Sequence, residues 1–147
     1  MKVVRKSSLT PVPWKNGGGI THEVMRVPAS GEMFRWRLSV AQIEVPGPFS
    51  NFAGYTRTLV LLKGKGVRLA FGDGRNATLG AVGDLAEFDG ALGTDCSLIG
   101  GPSADLNLIA SKSLKGVRAW VEGLVEPRLL KPSNTTCLLY TSDAADE

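Results

Sequence analysis

Hydrophobic and polar side chains alternate most clearly over residues 34–40. Phe34, Trp36, Leu38 and Val40 fall on one side, and Arg35, Arg37 and Ser39 on the other. A two-residue period predicts a strand, which residues 42–45 extend until Pro46-Gly47-Pro48 breaks it. The run Thr58-Leu59-Val60-Leu61-Leu62 is apolar without alternation and leads into Gly64-Lys65-Gly66, so it reads as a buried strand and a tight turn. Val67, Leu69 and Phe71 then alternate, and residues 67–71 are expected as its hairpin partner. Further short strands are predicted at 77–79, 85–88, 95–99 and 116–124, with a mixed-face strand from Ile20 and a loose edge strand over 1–9. Pro11 and Pro13 keep residues 10–13 extended or in a loop, and residues 28–32 form a turn. Turn signals recur about every 8–12 residues, the spacing of a β-sandwich or barrel. The fold class is all-β, and a jelly-roll barrel is the expected architecture.

Composition narrows the chemistry. A chain of 147 residues suits one compact unit, and its 18 glycines fit a turn-rich β chain. A single histidine and two distant cysteines cannot build a two- or three-histidine, Cys₄ or Cys₂His₂ metal site. Cys96 and Cys137 form no CxxC pair, which fits a reducing cytoplasm. No apolar run approaches the ~20 residues of a membrane span, and the N-terminus lacks the apolar stretch of a secretory signal. The formal charge of +3 comes from scattered Lys and Arg, not from the basic stripe of a nucleic-acid surface.

The last eleven residues, CLLYTSDAADE, match the translated read-through of a transposon-end sequencing adapter. Residues 137–147 are therefore expected to be a non-native tail, with the natural reading frame cut near Thr136. Without Asp143, Asp146 and Glu147 the chain is three charges more basic.

Several positions invite a chemical reading, each with a plain alternative. Asn16-Gly17-Gly18-Gly19 can turn backbone N–H groups toward an anion, or can mark a close backbone crossing; neither the Lys-Ser/Thr pair nor the helix of a P-loop follows. His22 has no nucleophile signature near it and reads as an ordinary strand residue. Arg37 and Ser39 occupy the polar face of the clearest strand, and Arg57 leads into the apolar run. Inside a barrel such an arginine holds a carboxylate bidentately; on an open face it is a solvated cation. Asp105 and Asn107 follow Gly100-Gly101-Pro102 and read as turn formers. Glu23, Glu44, Asp84 and Asp105 lack the spacing of a paired-carboxylate hydrolase.

Pro13-Trp14-Lys15-Asn16-Gly17-Gly18-Gly19 is joined by Thr21, Glu23, Trp36-Arg37-Leu38-Ser39-Val40-Ala41 and Gly47-Pro48-Phe49-Ser50 with Phe52 and Gly54. Arg57, Gly64-Lys65-Gly66, and Gly101-Pro102 with Asp105-Leu106-Asn107 complete the set. In order and spacing, over about residues 2–112, these segments resemble the HutD/Ves family, cupin-fold proteins found with bacterial histidine-utilisation genes. The resemblance implies a bicupin: residues 1–110 as the first jelly roll, and 111–136 as the start of a second, incomplete half. It also implies a metal-independent, cofactor-free cytoplasmic protein that binds a small carboxylate, such as urocanate or formylglutamate, and regulates histidine utilisation. No nucleic-acid or membrane partner is implied, and a homodimer is left open. Carried over position by position, the ligand-binding set is Asn16, Thr21, Glu23, Arg37, Ser39, Ser50 and Arg57, with Arg57 as anion anchor and no catalytic residue assigned. Arg37 is alternatively an ion-pair partner of Glu23. Thr56 departs from the family pattern, which carries an Asp before the arginine. The rival reading is an isomerase or hydrolase of a small acid with Glu23 as general base.

Overall fold

The turn spacing is realised as ten strands and one 3₁₀ turn, Lys6–Ser8, in the computed structural model, which describes residues 5–122. The larger sheet has the order β1 (Pro11–Pro13), β2 (Gly19–Val27), β3 (Trp36–Ile43), β10 (Ser103–Ser111), β5 (Tyr55–Lys63) and β8 (Leu85–Asp89). The smaller sheet runs β4 (Gly47–Pro48), β9 (Thr94–Leu98), β6 (Val67–Phe71) and β7 (Asn76–Leu79). Neighbouring strands pair antiparallel throughout. The two sheets stay separate and enclose one core. Ile43, Leu59, Leu61 and Phe88 come from the larger sheet, and Val67, Leu69, Leu79 and Cys96 from the smaller. Each fully buried aliphatic side chain here stabilises the fold by about 1.5–3 kcal/mol.

The expected hairpin between residues 58–62 and 67–71 does not form. β5 pairs with β10 and β8, whereas β6 pairs with β9 and β7, so Gly64-Lys65-Gly66 is a corner between sheets. The physical reason lies in burial. Leu59 and Leu61 are fully buried, as are Val67 and Leu69, and the corner lets the two pairs face each other across the core. A hairpin within one sheet places both strands on the same wall.

β5 is buried along Arg57–Leu62 on both faces, which explains why its apolar run shows no alternation. On β3, the face carrying Ser39 (1% exposed), Ala41 and Ile43 (1% exposed) points into the core, so the polar side of the alternating strand is the inner one.

Two expected strands are corrected. Residues 6–8 of the proposed edge strand form the 3₁₀ turn, and residues 1–4 lie outside the described residues. Residues 116–122 are non-strand, and the rest of the 116–124 prediction lies outside the described residues. β10 ends at Ser111. Of the expected second half, residues 123–136 lie outside the described residues, as does the 137–147 tail. Among the described residues no helix is long and apolar enough to cross a membrane.

Candidate functional site in the polar space between the sheets

Strand register brings distant residues onto one wall. Residues directly opposite one another in an antiparallel pair share a face. Thr21, Ala41, Asp105 and Leu61 therefore form one row across β2, β3, β10 and β5. Glu23, Ser39, Asn107 and Leu59 form the next, and Arg37, Ile109, Arg57 and Phe88 a third across β3, β10, β5 and β8. Leu59, Leu61 and Phe88 belong to the core, so the whole set faces inward. The wall is thus polar in its middle and apolar along its flank.

Arg57 is 5% exposed, an unusual degree of burial for a guanidinium. Its Cζ lies 5.0, 5.4 and 5.5 Å from the ring centres of Phe49, Phe52 and Phe88. Nη1 donates to the Ser50 carbonyl at 3.2 Å, and Nε is buried without a partner. Burial lowers its pKa to about 10, opposed by the charge of Asp105 and helped by that of Arg37, so it stays a cation at neutral pH. Arg37 stands over Phe52 at 5.3 Å and over Phe34 at 5.2 Å, and its Nε is also buried and unpartnered. Burial lowers its pKa first, with Glu23 opposing and Arg26 adding to the effect. Arg26 covers Phe34 at 5.3 Å. Guanidinium and ring therefore alternate from Arg26 through Phe34, Arg37 and Phe52 to Arg57. Cation–π contacts of this kind contribute about 0.5–2 kcal/mol each as they lose water.

Asp105 is 1% exposed, and neither carboxyl oxygen has a hydrogen-bond partner. Burial pushes its pKa up to about 7, against the pull of Arg57. Asn107, 7% exposed, leaves Oδ1 without a donor. The thiol of Cys96 is pushed up to about 12 by burial and then by the charge of Asp105, so it stays protonated and a poor nucleophile.

The Asp105 shift makes stability depend on pH. Its folded pKa of about 7 lies above the ordinary 3.8, so the stabilising contribution is complete below 3.8 and is lost as pH rises through about 7. The melting temperature is expected to fall between about pH 5 and pH 8, and Asp105→Asn is expected to flatten that fall. Scanning calorimetry of both proteins across that range checks it; equal slopes place the effect elsewhere.

The sequence model of the HutD family matches residues 6–146. The chain belongs to the HutD family. It is 38% identical over 144 residues to an uncharacterised 21.2 kDa protein in the hutC 3′ region of Pseudomonas putida, covering 97% of this chain and 74% of that protein. The structure of HutD from Pseudomonas fluorescens SBW25 aligns with a TM-score of 0.68 at 40% identity, over 74% of this chain and 59% of that one. A cupin-2 domain from Rhodospirillum rubrum aligns with a TM-score of 0.55 at 14% identity, over 76% and 75% of the two chains, which shows the fold alone. This HutD-family chain is therefore a cupin-fold protein related to a protein of the histidine-utilisation locus, and it spans 59% of the solved Pseudomonas fluorescens HutD.

The sequence-derived positions divide by location. Arg37, Ser39 and Arg57 face the space between the sheets of this HutD cupin. Thr21 shares that face, but its hydroxyl accepts a hydrogen bond from Trp14 Nε1 at 2.7 Å. Glu23 is exposed at the row's outer end, and its charge reaches Arg37 without ion-pair contact. Ser50 is exposed and contributes its carbonyl. Asn16 is exposed, with Oδ1 accepting from the Gly18 N–H at 2.9 Å, a local turn closure.

The glycines beside Asn16 mark a close crossing. A Cβ on Gly19 meets the Gln42 carbonyl oxygen at 2.3 Å and the Trp14 ring at 3.2 Å. Trp14 in turn packs edge-on against Phe49, 6.2 Å between centres, so the motif braces the aromatic wall of Arg57. His22 lies on the outward face, opposite Val40.

Asp105 and Asn107 are not turn formers; they are mid-strand residues of β10, aimed inward. The signal was the alternation of Ser103, Asp105, Asn107 and Ile109 with Ala104, Leu106, Leu108 and Ala110. The buried and half-buried part of the inward donor set offers one carboxyl, two cations and no imidazole, and Glu23 stands exposed at its outer end, which does not fit the divalent metal of other cupins. Among the described residues no three His, Cys, Asp or Glu side chains converge. A cavity of about 170 Å³ opens on the outward face beside Thr58, Leu108 and Arg118, and contains none of the inward cluster.

Proposed function

We propose that this HutD-family cupin is a metal-independent binder of a small carboxylate with a regulatory role in histidine utilisation. The carrying observation is the pair of guanidiniums, Arg37 and Arg57, standing 5.3 and 5.4 Å from the same Phe52 ring with both Nε atoms buried and unpartnered. Among the described residues neither makes an ion pair within 4.0 Å. Two desolvated like charges repel, and a planar anion between them relieves both the repulsion and the unmet donors. Aromatic walls lower the local dielectric and strengthen that attraction. Urocanate and formylglutamate carry the required carboxylate, and the relation to the hut locus makes them the first ligands to try.

Calorimetric titration with each compound tests the proposal. Millimolar or tighter binding is expected for at least one, and Arg57→Met is expected to weaken it about 10- to 150-fold, the worth of a hydrogen bond to a charged group. The methionine keeps the bulk of the side chain against the three phenylalanines, and a matching melting temperature separates lost binding from lost fold. Silence of both compounds at millimolar concentration overturns the proposal. Unchanged affinity in Arg57→Met moves the site away from Arg57.

A further inference from the structure

The unpartnered polar atoms of the inward cluster fall into two kinds. At the arginine row they are donors, Arg37 Nε and Arg57 Nε. At the Asp105 and Asn107 rows they are acceptors, Asp105 Oδ1 and Oδ2 and Asn107 Oδ1. An anion satisfies the first kind. Only a donor satisfies the second, and the smallest donor available to a buried carboxyl is its own proton.

Four strands supply the charged and titratable groups of this interior. β5 presents Arg57, whose charge Asp105 feels from beyond ion-pair contact. β9 presents the Cys96 thiol, held protonated first by burial and then by the Asp105 charge. β3 presents Arg37, which acts on Arg57, and β2 presents Glu23, which acts on Arg37. The apolar residue directly opposite Asp105 is Leu61 on β5, and Val67, Leu69 and Phe88 belong to the same core. The balance is two cations to one buried carboxyl, with Asp105 as the negative charge that Arg57 senses.

We propose that Asp105 is the internal counter-charge of the Arg57 site, and that an incoming carboxylate replaces it as Asp105 takes up one proton from solvent. This rests on the carboxylate-binding reading above. The ligand stays ionised and none of its bonds changes; the proton adds to one Asp105 oxygen, and the neutral acid then brings a donor to rows whose unpartnered atoms are acceptors. The cause is electrostatic. A second negative charge in one desolvated space raises the proton affinity of the first. The free carboxyl already sits near pH 7 through burial, so the exchange falls within the physiological range.

Titration of the full chain with N-formylglutamate at about pH 8, in HEPES and in Tris, reads the proton directly, because the two buffers differ in ionisation heat. The expected result is a buffer-dependent heat that corresponds to uptake approaching one proton per ligand. Asp105→Asn is expected to abolish the difference and to bind about tenfold more tightly at that pH, having lost the competing charge. Buffer-independent heat from the wild type, with binding intact, overturns this inference and leaves the carboxylate reading standing. Absence of heat from N-formylglutamate and urocanate alike overturns both. Should Asp105→Asn fail to fold, the carboxyl ¹³C shift of Asp105 in the wild type decides the matter. Its titration midpoint is expected to rise on addition of N-formylglutamate, and an unmoved midpoint counts against the exchange.

Discussion

Gly66→Ala is expected to cost about 2–6 kcal/mol, a large part of the 5–15 kcal/mol that holds an ordinary domain together. Gly66 has φ +119°, a region that L residues rarely adopt. A Cβ built there lies 2.1 Å from the Leu79 carbonyl oxygen and 3.0 Å from Gly80 Cα. The neighbour has nowhere to go. Leu79 is 1% exposed within the core, and moving β7 drags that side chain out of its packing. Urea unfolding of the variant checks the value through the midpoint at constant m. Gly74→Ala is the matched control: it shares positive φ (89°) but has open space around it, and it is expected to show the backbone strain alone. Equal losses at the two sites refute the steric part of the argument.

Leu61→Ala is expected to cost about 2–5 kcal/mol, the range for truncating a buried leucine. Leu61 is fully buried in the core and directly opposite Asp105 across the β5–β10 pair. That neighbour gives the loss an unusual pH dependence. The space left by the leucine borders the buried carboxyl, and a polar edge of this kind admits water. Water solvates the ionised form and offsets part of the burial cost above pH 7. The loss is therefore expected to be larger at about pH 5 than at about pH 8. Urea midpoints for wild type and variant at both pH values measure it, and a pH-independent difference removes the hydration argument while leaving the cavity term.

How much of this was legible in the sequence differs from element to element. β3 was readable as a strand from Phe34 to Val40, because period two survives whatever packs against it. Its inside was not readable, because alternation names two faces and does not say which one a second sheet covers. Here Ser39 and Arg37 face inward, while Leu38, at 8% exposed, is buried from the other side. The same two-sided burial hid the partner of β5. Leu59 and Leu61 look like half of a hairpin until the glycine corner sends β6 to the other sheet.

Asp105 and Asn107 were misread for a related reason. Asp and Asn after Gly-Pro are common turn formers, and that local cue outweighed the alternation that their register against Ala41 and Ser39 bears out. The glycine-rich motif was readable as either an anion nest or a close crossing, and the fold shows the crossing. Gly19 is needed where Gln42 and Trp14 close on the backbone. Of the candidate site, the arginines were visible as residues, whereas their shared ring, Phe52, required the fold to bring three segments together.

The run of alternating guanidiniums and rings has a practical consequence for anyone who engineers this scaffold. Its outermost member, Arg26, is held by the carbonyls of Pro28, Gly31 and Met33 at 3.1, 2.6 and 3.3 Å, which makes the β2–β3 turn its socket. Lengthening that turn, or grafting a peptide into it, unseats Arg26 from Phe34 and loosens Arg37 and Phe52 behind it. An insertion site that spares the interior lies on the other sheet. The turn at Asp73 and Gly74 is exposed, and among the described residues the Asp73 carboxylate is tied only to its near neighbour Arg75.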